Sequence, residues 1–185
     1  SVPATSSFVI SCPTIAGMEV TPAYTSATVT WSNTEEVKAE LYKGDTLKAT
    51  QVITSAQPDT CIFTSLTPNT TYKVRLSAKC GGDYVGATER VFTTPSLPIV
   101  ENVQIAARYE NRSGSVEITW DYALDLATYQ VEVQTSADSP VENKQTGSTK
   151  SYDNESPLEV GSYQARIQAT YQGHEAGWTE WFPFV

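Results

Sequence analysis

Thr71 to Arg90 reads TYKVRLSAKCGGDYVGATER, and Ser162 to Trp181 reads SYQARIQATYQGHEAGWTEW. Laid one over the other without a gap, the stretches match Tyr72 with Tyr163, Arg75 with Arg166 and Ala78 with Ala169. They go on to match Gly82 with Gly173, Gly86 with Gly177, Thr88 with Thr179 and Glu89 with Glu180. A repeat of about 90 residues is far longer than the period of a solenoid, so it marks tandem domains, each with its own core. Val74, Leu76 and Ala78 alternate with polar residues, which is the period of a strand half buried in a sheet.

The alternation extends outward from this pair. TSATVTW, Thr25 to Trp31, sets Ala27, Val29 and Trp31 on one face, and SVEITW, Ser115 to Trp120, sets Val116, Ile118 and Trp120 in the same phase. Helical periodicity is almost absent. In the first copy strands are expected at about Ile15 to Val20, Thr25 to Trp31, Lys38 to Tyr42, Leu47 to Ile53, Thr60 to Thr64, Tyr72 to Lys79 and Thr88 to Thr93. Short strands at this spacing predict an all-β chain of two tandem, seven-stranded, immunoglobulin-like β-sandwiches. Between the copies TTPSLPI, Thr93 to Ile99, carries two prolines, which cannot donate to a ladder and which restrict the residue before them. The chain therefore divides into a lead-in at 1–11, a first domain at 12–94, a short semi-rigid linker at 95–98 and a second domain at 99–185.

The 39% hydrophobic and 18% charged residues are those of a folded soluble protein, and no apolar run approaches the roughly 20 residues of a membrane-spanning helix. The net charge of -9, from 21 acidic against 12 basic residues, repels phosphate backbones. The basic residues are scattered singly, which argues against nucleic acid as a partner. Cys12, Cys61 and Cys80 lack the C-x-x-C spacing of zinc and redox sites, and their odd number leaves at least one thiol unpaired within the chain. SSFVISC, Ser6 to Cys12, lacks the positive region and apolar length of an export signal and reads as an extended lead-in. His174 is the single histidine, with neither Cys nor Ser in its loop, and Asp121 and Asp125 flank a solvated turn, where paired carboxylates serve solubility. No catalytic residue, cofactor or metal ligand is expected. Asn69, Asn111 and Asn154 open Asn-x-Ser/Thr triplets, which arise by chance in Thr-rich strands.

The tryptophan closing the second strand, then LTPNTTY at Leu66 to Tyr72, then Val74, Leu76 and Ala78, together resemble a fibronectin type III domain. The resemblance covers 12–94 and 99–185, with one departure. In the second copy LEVGSY, Leu158 to Tyr163, is one residue shorter and has Val160 at the proline's position. The resemblance implies a tyrosine corner, in which the Tyr hydroxyl bonds back to the preceding corner, and a core centred on Trp31 with Tyr72 and on Trp120 with Tyr163. The Cys-Pro at Cys12 and the Ala78-Lys-Cys-Gly81 run are similar to fibronectin III modules in secreted and surface proteins of Bacteroidetes-type bacteria, anchored outer-membrane proteins included. That similarity implies a Cys12–Cys80 disulfide and an oxidising, extracellular or cell-surface location. Cys61, on the face of Phe63, is then a buried free thiol. Tyr171 stands where Cys80 does, so the bridge belongs to the first domain alone.

GWTEW, Gly177 to Trp181, puts two tryptophans three apart and resembles the Trp-Ser-x-Trp-Ser box of cytokine receptors, whose indoles interleave with arginines. Phe182 in place of the second serine, one arginine in the facing strand and GATER at the same place in the first domain favour packing or a Trp/Arg ladder. The other reading is a recognition surface, because Tyr171, His174, Trp178 and Trp181 lie in or beside one loop. The matching loop of the first domain, CGGDYVG at Cys80 to Gly86, is expected to display Asp83 and Tyr84 at a sandwich end, without an Arg-Gly-Asp tripeptide. The expected function is a non-catalytic extracellular or cell-surface module for adhesion, binding or spacing, with a protein or glycan as ligand. Two alternatives stand beside it: an accessory segment of a polysaccharide-degrading enzyme, and a carbohydrate-binding module using Trp178 and Tyr171.

Overall fold

A computed structural model describes residues 11–32 and 36–185. The expected lead-in at 1–11 lies outside the described residues except for Ser11. Ser1–Pro95 and Ser96–Val185 form separate compact units, and every element in the described residues of both is a strand or a turn.

The first unit contains β1 (Ala16–Pro22), β2 (Ala27–Ser32), β3 (Val37–Lys43), β4 (Thr46–Ile53), β5 (Thr60–Phe63), β6 (Thr71–Cys80) and β7 (Asp83–Thr93). One antiparallel sheet has the order β1-β2-β5 and the other β4-β3-β6-β7. Alternation places Ala27, Val29 and Trp31 from β2 and Val37, Ala39 and Leu41 from β3 in one apolar cluster between the sheets, closed by Phe63, Leu66, Tyr72, Val74, Leu76 and Phe92. Trp31 is 5% exposed. Truncating such a residue to alanine costs about 3–5 kcal/mol, a large part of the roughly 5–15 kcal/mol that holds a domain together.

The second unit contains β8 (Glu101–Glu110), β9 (Ser113–Asp121), β10 (Thr128–Thr135), β11 (Pro140–Gln145), β12 (Ser151–Asp153), β13 (Tyr163–Tyr171), β14 (His174–Glu175) and β15 (Phe182–Phe184). Its sheets run β12-β9-β8 and β11-β10-β13, with β14 and β15 both paired to β13. Here the core is aromatic. Tyr129 meets Trp120 edge-on at 5.2 Å and Tyr122 at 5.8 Å, geometry that aromatic quadrupoles favour, and Tyr152 is 2% exposed. The β8–β9 hairpin turns on Asn111 and Arg112, and the β13–β14 hairpin on Gln172 and Gly173, all four with positive φ. Two left-handed central residues match the twist of the flanking strands and close the hairpin in two residues.

The two corners differ. In the first unit the Tyr72 hydroxyl accepts the Thr67 N–H at 2.9 Å, five residues back, and its ring stacks on Phe92 at 5.8 Å. In the second unit the Tyr163 hydroxyl donates to the Glu159 carbonyl at 2.8 Å, four residues back, and its ring stacks on Phe184 at 5.6 Å. The residue missing from LEVGSY shortens the loop, so a carbonyl is presented where the first unit offers an N–H. Gly114 supports the second corner: its N–H and carbonyl both bond to Leu158, each at 3.0 Å.

Candidate functional site

The outer face of β13 carries the site that the WTEW spacing suggests. From Ala176 to Trp181 the chain leaves regular pairing and touches β13 at every third residue. The Ala176 N–H reaches the Ala169 carbonyl at 2.8 Å, and the Thr179 N–H reaches the Ile167 carbonyl at 3.0 Å. The Thr179 hydroxyl, itself buried, accepts the Ile167 N–H at 3.0 Å. Three residues per turn is the repeat of a polyproline II helix rather than a strand, so Trp178 and Trp181 emerge on the same side. Between them lies the Arg166 guanidinium, 4.4 Å from the Trp178 ring centre and 4.5 Å from that of Trp181. Glu132, opposite Arg166 on β10, anchors it through Nε at 2.7 Å and Nη2 at 2.6 Å. All three side chains are half-buried or nearly so, and each indole turns a face to the cation, a contact worth about 0.5–1 kcal/mol at a partly exposed site. This is a Trp/Arg ladder that holds an irregular edge segment against the sheet.

The other two aromatic candidates of this domain lie elsewhere. Tyr171 and His174 face each other across the β13–β14 turn. Five residues separate Tyr171 from Arg166 along a strand without a bulge, so their side chains leave opposite faces of β13. Trp178 stands over Arg166, on the face of β13 opposite to the one that alternation gives Tyr171.

In the first unit CGGDYVG is not a loop. Cys80 pairs directly with Asp83, and β7 begins at once, leaving a two-residue Gly81-Gly82 turn. Asp83 is exposed; Tyr84 is half-buried. The Tyr84 hydroxyl donates to Glu36 at 2.6 Å, Lys79 approaches the same oxygen at 2.9 Å, and the Lys38 ammonium sits 5.2 Å from the Tyr84 ring centre. The Tyr84 hydrogen bond, then Lys79, holds the Glu36 carboxyl below the usual carboxylate range, while Glu36 in turn raises Lys79 and Tyr84. Beside this triad Cys12 and Cys80 form a disulfide with a Cα separation of 5.4 Å, which fixes the chain ahead of β1 to the end of β6. Cys61 is a buried free thiol facing the core, and burial pushes it up to about 11.

Glu36 and Glu132 organise these clusters, and neither stands out in the sequence; only the register of β3 against β6 and of β10 against β13 brings them to their partners. A third seam joins β11 to β12, where the buried Tyr152 hydroxyl donates to Glu142 and the Lys144 ammonium lies over the Tyr152 ring. Among the described residues no group of three His, Cys, Asp or Glu side chains is placed to hold a metal ion, and no helix is long and apolar enough to cross a membrane.

No protein-family model matches the chain, and no curated protein matches it. Among solved structures, it is similar to the FN1-FN3 segment of chicken CNTN1, with 14% identity and a TM-score of 0.41 over 94% of this chain and 67% of that one. It is also similar to a computer-based redesign of a β-sandwich protein, with 29% identity and a TM-score of 0.42 over 49% of this chain and 100% of that one. A segment of two fibronectin type III domains from chicken tenascin matches over 92% of this chain and 98% of its own length, at 13% identity and a TM-score of 0.51. At that identity the likeness is one of fold, and the fold is a tandem pair of fibronectin type III-like, antiparallel β-sandwiches.

Proposed function

We propose that the chain is a non-catalytic pair of fibronectin type III-like modules, 12–94 and 99–185 joined at 95–98, serving a larger extracellular or cell-surface protein in adhesion, ligand binding or spacing. The observation that carries this reading is the Cys12–Cys80 bridge, a bond that persists in oxidising compartments and is rare in reducing ones. The tandem architecture supports it, as do the charged and aromatic groups: Glu36 with Tyr84 and Lys79, and Arg166 with Glu132 and two indoles, are engaged with one another in holding strands together. A setting in Bacteroidetes-type secreted or surface proteins belongs to the same proposal and rests on the Cys-Pro and Cys-Gly resemblance. The ligand class is protein or glycan. Exposed Asp83 in the first unit and Tyr171 and His174 at the β13–β14 turn of the second are the candidate residues outside these clusters.

The location is tested by alkylating free thiols in denatured protein taken directly from its source. Modification of Cys61 alone is expected, and modification of Cys12 and Cys80 would remove the oxidising compartment. The purified chain is then offered to arrays of glycans and extracellular proteins and to polysaccharide substrates. Binding without turnover is expected; turnover that co-purifies with the chain and is lost in a point variant would overturn the non-catalytic reading.

A further inference from the structure

Tension applied across the chain reaches Cys12 before it reaches β1. The bridge then carries it directly to Cys80, so residues 13–79 lie inside a covalently closed loop and bear no load. What remains under tension is the run from Cys80 through the Gly81-Gly82 turn and along β7. Cys80 pairs with Asp83 at one end of β7, and Thr71 pairs with Thr93 at the other, so β7 already lies extended between the two points of pull. Its hydrogen bonds to β6 are loaded in shear, all together.

From these placements we infer that the disulfide makes the first unit a nearly inextensible link and leaves the second unit, which has no bridge among its residues, as the part that yields. From Asp83 to Thr93 the folded strand spans about 33 Å at roughly 3.3 Å per residue. Cys80 to Thr93 fully stretched spans about 46 Å at roughly 3.5 Å per residue, so even complete detachment of β7 lengthens the unit by only about 10–15 Å. Without the bridge, Cys12 to Thr93 stretches to about 280 Å, a gain on the order of 250 Å and close to twentyfold larger. The second unit, free of any such shortcut, gains about 250 Å or more on unfolding. The spacing role proposed above thereby acquires a mechanical form, a stiff module in series with a compliant one, that does not depend on which ligand the pair meets.

The test is single-molecule pulling on the full chain, held by handles at its two ends, with the bridge verified by mass spectrometry. The oxidised chain is expected to give one long extension step, and dithiol reductant added to the held molecule is expected to release a second of about 230 Å, because Cys12 is solvent-exposed. The variant Cys12→Ser, where it folds, is expected to give two long steps from the outset. Two long steps from the oxidised chain, or no added extension on reduction, would overturn the inference. Neither result depends on the binding arrays, so failure of the ligand reading and failure of this one are distinguishable.

Discussion

Gly114 is the position at which a single methyl group should do most damage. Its N–H and carbonyl both bond to Leu158, and the two backbones are so close that a Cβ built on Gly114 falls on the Leu158 carbonyl oxygen, 3.0 Å from Leu158 Cβ and 3.1 Å from its carbonyl carbon. These obstacles are mostly backbone, so Gly114→Ala must push the corner off β9. Overpacking costs about 1–3 kcal/mol and each of the two lost hydrogen bonds about 1 kcal/mol, a total of about 3–5 kcal/mol. For a unit of about 90 residues, with an unfolding entropy near 2.1 cal/mol/K per residue, that lowers the midpoint by about 15–25 °C. Scanning calorimetry of the whole chain reads this directly, since each unit has its own core. Tryptophan fluorescence assigns the transitions: Trp31 reports on the first unit, and Trp120, Trp178 and Trp181 on the second. Only the second unit's transition should move. Gly82→Ala, where an added Cβ meets nothing within 4 Å, should change stability by less than about 0.5 kcal/mol. A Gly114→Ala chain whose second transition stays within about 3 °C of the parent would refute the reasoning.

Arg166→Gln removes the cation between two indoles and the partner of Glu132 while keeping much of the side chain's bulk. A loss of about 1–2 kcal/mol from the second unit is expected in denaturant titration, and a change below about 0.5 kcal/mol would mean that the ladder is incidental. Cys61 should resist iodoacetamide in the native state at pH 8 and react completely once unfolded. Its folded value near 11 lies above the ordinary 9.0, so burial stabilises the protonated fold fully below pH 9 and loses that contribution as pH rises towards 11, visible as a falling first-unit midpoint. Tyr72→Phe leaves the Thr67 N–H without its acceptor and should cost about 1–2 kcal/mol; Tyr163→Phe frees a carbonyl, which tolerates the loss of one partner better than an N–H does, and should cost less, although Thr67 and Glu159 are both exposed. Equal losses in the two chemical-denaturation curves would contradict the difference between the corners.

The two-sandwich fold was legible because the apolar residues of β2, β6, β9 and β13 repeat with period two, and because each tryptophan that ends a second strand turns inward with its corner tyrosine. Three features escaped that reading wholly or in part, for physical reasons. Glycines at Gly81, Gly82 and Gly86 signal a loop, yet here they serve a tight turn and an edge strand, so Tyr84 lies against Glu36 instead of standing free. WTEW suggests packing or a Trp/Arg ladder along a strand, but its period of three, which neither a strand nor a helix template detects, hides the irregular backbone, and the Glu132 anchor depends on a register formed between distant segments. Gly114 was not identifiable at all, since nothing in SGSVEITW tells which backbone comes to lie against it.

A polypeptide that carries two similar sandwiches in tandem runs the risk of exchanging strands between them while it folds. The bridge supplies a chemical check on that error. Only β6 brings a sulfur to Cys12; had β13 taken its place, Tyr171 would stand there, and no covalent lock could form. The corner spacings of five and four residues reinforce the distinction, because a borrowed strand would bring its hydroxyl to the wrong stretch of backbone.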